Sequence, residues 1–195
     1  MTENKKTDRR VLYTKMFLKE SLLELMKEKP IDKITPTELC RRANINRNTF
    51  YSHYYTAREV LNEVEADFAA QIIEYLQTQI TEETRSVSQT LRAICSIIYK
   101  QQDFCKILLS DNGDPAFFEM LISNGKPFIL DGWRAEGVDL NEREIELLFS
   151  FIVNGSVAVI QKWASTDMEQ SPDKIADFLE HVTFFGIKGM TGTAE

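Results

Sequence analysis

The sequence predicts an all-helical chain, and three observations carry that expectation. Apolar residues recur at helical spacing through most of the 195 residues, and no stretch sustains the alternation of a strand between turn signals. Helix-start signals recur along the chain as Thr-x-x-Glu, Asn-x-x-Glu, Asp-Pro and Ser-Pro. Breakers are sparse, with 8 glycines and 5 prolines, which excludes a long linker-rich or disordered chain. A hydrophobic content of 43% against 27% charged suits a soluble globular protein, long enough for one or two domains with sizeable cores.

The first helix is expected from about Asp8 to Glu28, with Val11, Leu12, Met16, Phe17, Leu22, Leu23, Leu25 and Met26 forming a broad apolar side. Pro30 cannot continue it. In Thr35-Pro36-Thr37-Glu38 the threonine caps, the proline suits the first helical position and the glutamate completes a capping box. The helix so opened is short, Pro36 to Ala43. Asn44 suits a left-handed turn position, and Asn46 caps a third helix from Arg47 to about Tyr54. Thr56-x-x-Glu59 opens a fourth, running to about Ile80. Short helix, three-residue turn and short helix over about 36–54 is helix-turn-helix spacing. Leu39, Ala43, Ile45 and Phe50 would close over one another inside it.

A larger helical bundle is expected beyond this, with helices near 86–101, 102–110, 115–124, 127–135, 142–165 and 172–188. Asp114-Pro115 starts one and Asn124-Gly125 ends it; Asn141-x-x-Glu144 caps the long helix and Ser171-Pro172 opens the last. The domain division is placed at 1–60 and 61–195. Charge divides in the same place. Residues 1–60 hold 13 basic against 8 acidic side chains, and residues 61–195 hold 10 against 22. A basic head on an acidic body suggests that the head meets a polyanion.

The stretch Asn44 to Tyr55, NINRNTFYSHYY, has four aromatics, an arginine and a histidine, and no acid occurs between Glu38 and Glu59. Advancing about 100° per residue from Arg47, Phe50 and Tyr54 share one face, which should pack inward. Asn48, Thr49 and Ser52 share the opposite face. Small polar residues there can enter a groove: Asn bonds adenine in bidentate fashion, and the Thr methyl meets thymine. Arg47, Tyr51 and His53 flank that face and can reach phosphates. Thr35, Thr37, Arg42, Asn46 and Arg58 extend the candidate double-stranded DNA surface on the neighbouring helices and caps.

The segment ITPTELCRRANINRNTFYSHYYTAREVL, residues 34–61, resembles the DNA-binding domain of the TetR/AcrR regulators. The turn is Asn44-Ile45-Asn46, the recognition helix carries Thr49-Phe50-Tyr51-Ser52-His53-Tyr54, and the sequel is Arg58-Glu59-Val60-Leu61. Asn44 stands in place of Gly, Tyr54 in place of Phe, and Asn48 where Gly is frequent. DFCKILLSDNGDPAFFEML and FIVNGSVAVIQKWAS look like the C-terminal region of a subgroup common in low-GC Gram-positive bacteria. The resemblance implies an all-α homodimer, with an N-terminal three-helix helix-turn-helix domain and a C-terminal bundle for dimerisation and ligand sensing. It further implies binding to a pseudo-palindromic operator, and repression relieved by a small-molecule effector, although some members activate.

On that resemblance the last two long helices would form the dimer interface, through Phe151, Gly155, Val159, Trp163, Phe178 and Phe185; by spacing alone their apolar stripe is only buried somewhere. Tyr99, Phe104, Phe128, Trp133 and Phe151 are candidates for an effector cavity, and each is equally readable as plain core. No cofactor and no metal are expected. Cys40, Cys95 and Cys105 are odd in number, read as reduced thiols, and lack CxxC spacing, and no HxxxH occurs. No phosphate-cradling glycine loop, GxSxG elbow or HExxH suggests an enzyme. The polar start and the lack of an apolar run near ~18 residues predict a cytoplasmic protein with no membrane partner. A helical adaptor that does not bind DNA is the alternative from another class, and an enzyme is the third.

Overall fold

The computed structural model describes residues 2–79, 86–135 and 137–191. Among them the chain forms α-helices α1 (Thr2–Met26), α2 (Pro36–Ala43), α3 (Arg47–Tyr51), α4 (Ala57–Gln79), α5 (Val87–Lys100), α6 (Gln102–Leu108), α7 (Pro115–Ala135), α8 (Glu142–Ser165) and α9 (Pro172–Thr191), with a short 3-10 turn at Ile31–Lys33. No strand occurs among the described residues. The chain divides into two compact units. The first is Met1–Ala69 with Asp111–Asp114, and the second is Ala70–Ser110 with Pro115–Glu195.

In the first unit, local chemistry sets each boundary. Thr35 accepts a hydrogen bond from the Glu38 amide at 3.2 Å and starts α2. Asn44 ends it in the left-handed region at φ 53°, and the Ile45 amide closes the turn on the Cys40 carbonyl at 2.9 Å. Asn46 then accepts from the Asn48 amide at 2.8 Å and starts α3. Leu18, Leu22, Met26, Leu39, Phe50, Val60 and Leu61 are all fully buried and form the core. Two expectations for α1 change. It begins at Thr2 rather than near Asp8, and its first half carries apolar groups outward: Leu12, Tyr13, Met16 and Phe17 are exposed. The positions that α1 turns to α4 there are polar, with Lys15 bonded to Glu63 at 2.9 Å and Lys19 to Asp67 at 2.6 Å. α3 is also shorter than expected, since regular helix stops at Tyr51, while Tyr54 still turns inward and is buried.

In the second unit α5 packs along α9, α8 lies against α9 and α6, and α7 contacts α5. A buried cluster joins Trp133 of α7, Val138, Leu148 and Phe149 of α8, and Ile187 of α9. The expected break at Asn124-Gly125 does not occur: α7 runs unbroken, with Pro127 inside it. The reason is packing. Ile122 before the proline, and Ile129 and Leu130 after it, all reach the same cluster, so their burial holds the helix in phase across Gly125 and Pro127. Gly137, at φ 81°, then takes the turn that lets the Val138 amide reach back to the Trp133 carbonyl at 3.0 Å. α4 ends at Gln79, and its expected last residue, Ile80, lies outside the described residues.

α8 starts on a complete capping box between Asn141 and Glu144. By length and composition alone it could cross a membrane, contrary to the expectation that no apolar run is long enough. The cause is that α8 is apolar on two sides. Leu148, Phe149, Ile160 and Trp163 are buried on one, while Leu147 and Phe151 stand on the other. The three cysteines are free and buried. Burial pushes the Cys95 and Cys105 thiols up to about 12, well away from reactivity.

Candidate nucleic-acid interface

The exposed side of the helix-turn-helix is built from residues that the buried side orients. Phe50 is completely buried, and its ring meets Tyr51 edge-on at 5.4 Å and Tyr54 at 5.9 Å. With Phe50 fixed inward, Arg47, Asn48, Thr49, Tyr51 and Ser52 are left exposed and His53 half-exposed. The Arg47 guanidinium lies 6.0 Å from the centre of the Tyr51 ring, so a cation is held over an aromatic at the edge of this face. The Ser52 hydroxyl donates to the Thr49 carbonyl at 2.7 Å, and its oxygen keeps acceptor capacity.

A polar network behind this face ties α3 to α1 and α4. The buried Tyr54 hydroxyl donates to Glu63 at 2.9 Å, and Lys15 and Lys19 donate to the same carboxylate at 2.9 and 2.8 Å. Burial alone would raise the Glu63 carboxyl, but Lys19, Lys15 and Tyr54 outweigh it and hold it at about 2. For Tyr54, burial and then the Glu63 carboxylate raise the hydroxyl well above its ordinary value, so it stays a donor. The angle at which α3 presents its outer face is therefore set by charge-assisted bonds as well as by Phe50.

The neighbouring candidates differ in how free they are. Thr37 and Arg41 are exposed on α2, as is Arg42, which lies 3.7 Å from Glu28. Thr35 and Asn46 are exposed but use their side-chain oxygens as caps. Arg58 donates to two carboxylates, through Nη2 to Asp32 at 2.7 Å and through Nη1 to Asp114. Tyr55, absent from the sequence candidates, is the most exposed large side chain of the segment at 78%. Its amide donates to Glu59 at 2.8 Å, which fixes its backbone beside the start of α4. The signal was available, because a tyrosine just before the Thr56 cap lies outside the packed period of α3.

A second open surface lies on α8 and α9 of the second unit. Leu147 and Phe151 on α8 are 65% and 70% exposed, with Gly155 and Ala158 further along the same side. Phe178, Val182 and Phe185 on α9 are exposed at a matching spacing. A profile described as transcriptional regulator C-terminal region, TetR_C_8, matches residues 85–184, which contain both helices up to Phe184. The chain belongs to the TetR family of transcriptional regulators. It is 30% identical over 97 residues to the HTH-type transcriptional regulator YxbF of Bacillus subtilis (strain 168). That match spans 49% of the chain and only 26% of YxbF. A TetR transcriptional regulator from Streptococcus agalactiae superposes with a TM-score of 0.72 at 23% identity, covering 92% of this chain and 98% of that one. The dihydroxyacetone kinase operon activator DhaS superposes at 0.60 and 16% identity, covering 90% and 96%. Thermus thermophilus FadR, a repressor solved with lauroyl-CoA, superposes at 0.54 and 16%, covering 88% and 94%. These structures share the fold.

Within this TetR-family chain the described candidate effector residues stand in different surroundings. Trp133 is buried in the α7–α8–α9 cluster, and its indole N–H has no hydrogen-bond partner. Tyr99 is 39% exposed and stacks on Trp163 at 6.1 Å. Phe104 is half-buried on α6. Phe151 stands on the open side of α8, and the side chain of Phe128 lies outside the described residues. Of the candidate interface residues, Phe151, Gly155, Phe178 and Phe185 are exposed and Val159 is half-buried. Trp163 instead faces its own core, 3% exposed, with its indole N–H donating to the Gln170 carbonyl at 2.9 Å. Leu147, Ala158 and Val182 complete the open face and were missed. Stepping three or four residues from Phe151 and Phe178 would have found them.

Proposed function

We propose that this TetR-family regulator is a homodimeric repressor that binds a pseudo-palindromic operator and is released by a small-molecule effector, acting in the cytoplasm. The observation that carries DNA binding is the exposed, acid-free face of α3, where Asn48, Thr49 and Ser52 lie between Arg47 with Tyr51 and His53. Thr37, Arg41, Arg42 and Tyr55 widen it. Two such helices, one per subunit, would enter successive major grooves about 34–36 Å apart or a multiple of that. The apolar faces of α8 and α9 support pairing of two copies, because Leu147, Phe151, Phe178 and Phe185 are otherwise left in water. An effector held in the second unit would lower operator affinity by biasing a two-state change. A 100-fold release needs a coupling of about 2.7 kcal/mol. DhaS is an activator and FadR a repressor on this fold, so the sign of regulation rests on the family's prevailing behaviour.

Selection of bound duplexes from a random pool by the purified protein, at about 150 mM salt, tests this. Enrichment of an inverted repeat is the expected result. A folded dimer that enriches no sequence would favour the adaptor reading.

A further inference from the structure

The loop Asp111–Asp114 belongs to the first unit, although α6 and α7, which flank it, belong to the second. Asp114 at its end is buried and accepts from Arg58, which also donates to Asp32 at 2.7 Å. Glu65 lies two turns after Arg58 on α4, is only 6% exposed, and its Oε1 has no hydrogen-bond partner. The charged groups that face Glu65 are Asp114 from the loop and Arg58 from its own helix; Arg58 in turn faces Asp32, Asp114 and Glu65. One guanidinium thus serves three carboxyl groups, two of them buried. Two adjacent buried carboxyls resist ionising together, and a buried unpartnered carboxylate oxygen is costly.

We propose that Arg58, Asp114 and Glu65 form a proton-operated latch that holds the loop between α6 and α7 on the DNA-binding unit, with Arg58 a positioning residue for that loop and not a phosphate contact. The inference rests on the assignment of the first unit to DNA binding only for its regulatory consequence. With Glu65 protonated, Asp114 has the inner side of Arg58 to itself. Once Glu65 ionises, a second buried anion stands beside Asp114 and competes for the same guanidinium. Burial, then the Asp114 charge, push the Glu65 carboxyl up to about 7, against the pull of Arg58. The shift is upward for an acid, so the closed latch is favoured below about 7 and weakens as pH rises through that value.

A pH titration of the full-length protein by amide and carboxyl NMR tests the latch without DNA, so its failure is separable from failure of the DNA-binding assignment. The Glu65 carboxyl and the amides of residues 111–114 should titrate together with a midpoint near 7. If opening returns Glu65 to its ordinary range, the loosened fraction should rise about tenfold between about pH 6 and about pH 8. Glu65→Gln should abolish the titration of the loop. Asp114→Asn, a milder change, should move the Glu65 midpoint down, and Arg58→Gln should move it up. A loop that does not titrate in the wild type, or that titrates equally in Glu65→Gln, overturns the latch, as does a Glu65 midpoint unmoved by Asp114→Asn. Arg58→Gln should also leave the salt slope of DNA binding unchanged, whereas loss of a phosphate contact would flatten it by about 0.9 and return Arg58 to the DNA surface.

Discussion

The outer face of α3 and the outer faces of α8 and α9 are both open to solvent, yet they are built from opposite materials. α3 exposes Asn, Thr, Ser, Arg and Tyr, with hydrogen-bonding groups at every position. α8 and α9 expose Leu147, Phe151, Phe178, Val182 and Phe185 around small Gly155 and Ala158. Water solvates the first face well and the second badly. The difference matches the two partners proposed above: a charged, hydrogen-bonding polymer suits the first face, and a second copy of the same helices would offer the second a matching apolar surface.

The comparison breaks most visibly at the apolar faces. Phe151→Glu combined with Phe185→Glu should convert a dimer to monomers at micromolar concentration in sedimentation equilibrium, since pairing would then bury unpaired charge at a cost of several kcal/mol. A dimer that survives both changes would place the interface elsewhere. Phe50→Ala removes the buried anchor that orients α3 and should cost about 3–5 kcal/mol in urea unfolding, with DNA binding lost along with the fold of the unit.

The polar network behind α3 has a pH signature of its own. Glu63 is held at about 2, below its ordinary range, so its contribution to stability is present at neutral pH and fades as pH falls toward that value. Glu63→Gln should therefore destabilise by about 1–3 kcal/mol near neutrality, with the two proteins converging in acid. On the outer face the effects are smaller and differ in kind. Asn48→Ala should relax preference at one base pair by about 1–3 kcal/mol. Arg47→Ala should weaken binding to all sequences and reduce the salt slope by about 0.9. If Arg47→Ala altered base preference instead, the division between groove-reading centre and phosphate-reaching flank would be reversed.

Much of the helix-turn-helix was legible in the sequence because its signals are local. Thr35, Asn44 and Asn46 cap or turn the chain through atoms within a few residues, and Phe50 and Tyr54 recur one turn apart. Errors arose where packing between distant segments overrides local signals. Asn124-Gly125 and Pro127 are ordinary stop signals, yet α7 continues because Ile122, Ile129 and Leu130 share one cluster with residues of α8 and α9. The apolar residues of α1 and of α8 have correct helical spacing, but spacing alone does not say which of two apolar sides is covered. Leu12, Tyr13 and Phe17 are exposed, while Trp163, expected at an interface, lies in its own core. Arg58, placed by the sequence on the candidate DNA surface, bonds Asp114, which is 56 residues away and beyond the reach of any local signal.

The sequence by itself determined the class of structure, the order of the helices, the caps of α2, α3 and α8, and the small polar centre of α3's outer face. Each of these depends on backbone geometry and side chains within one or two turns. Tertiary structure alone decided that α7 is continuous, which sides of α1, α8 and α9 stay open, and that Arg58, Asp32, Asp114 and Glu65 meet. Those outcomes depend on which distant surfaces exclude water together, and burial is a property of the packed chain, not of any segment of it.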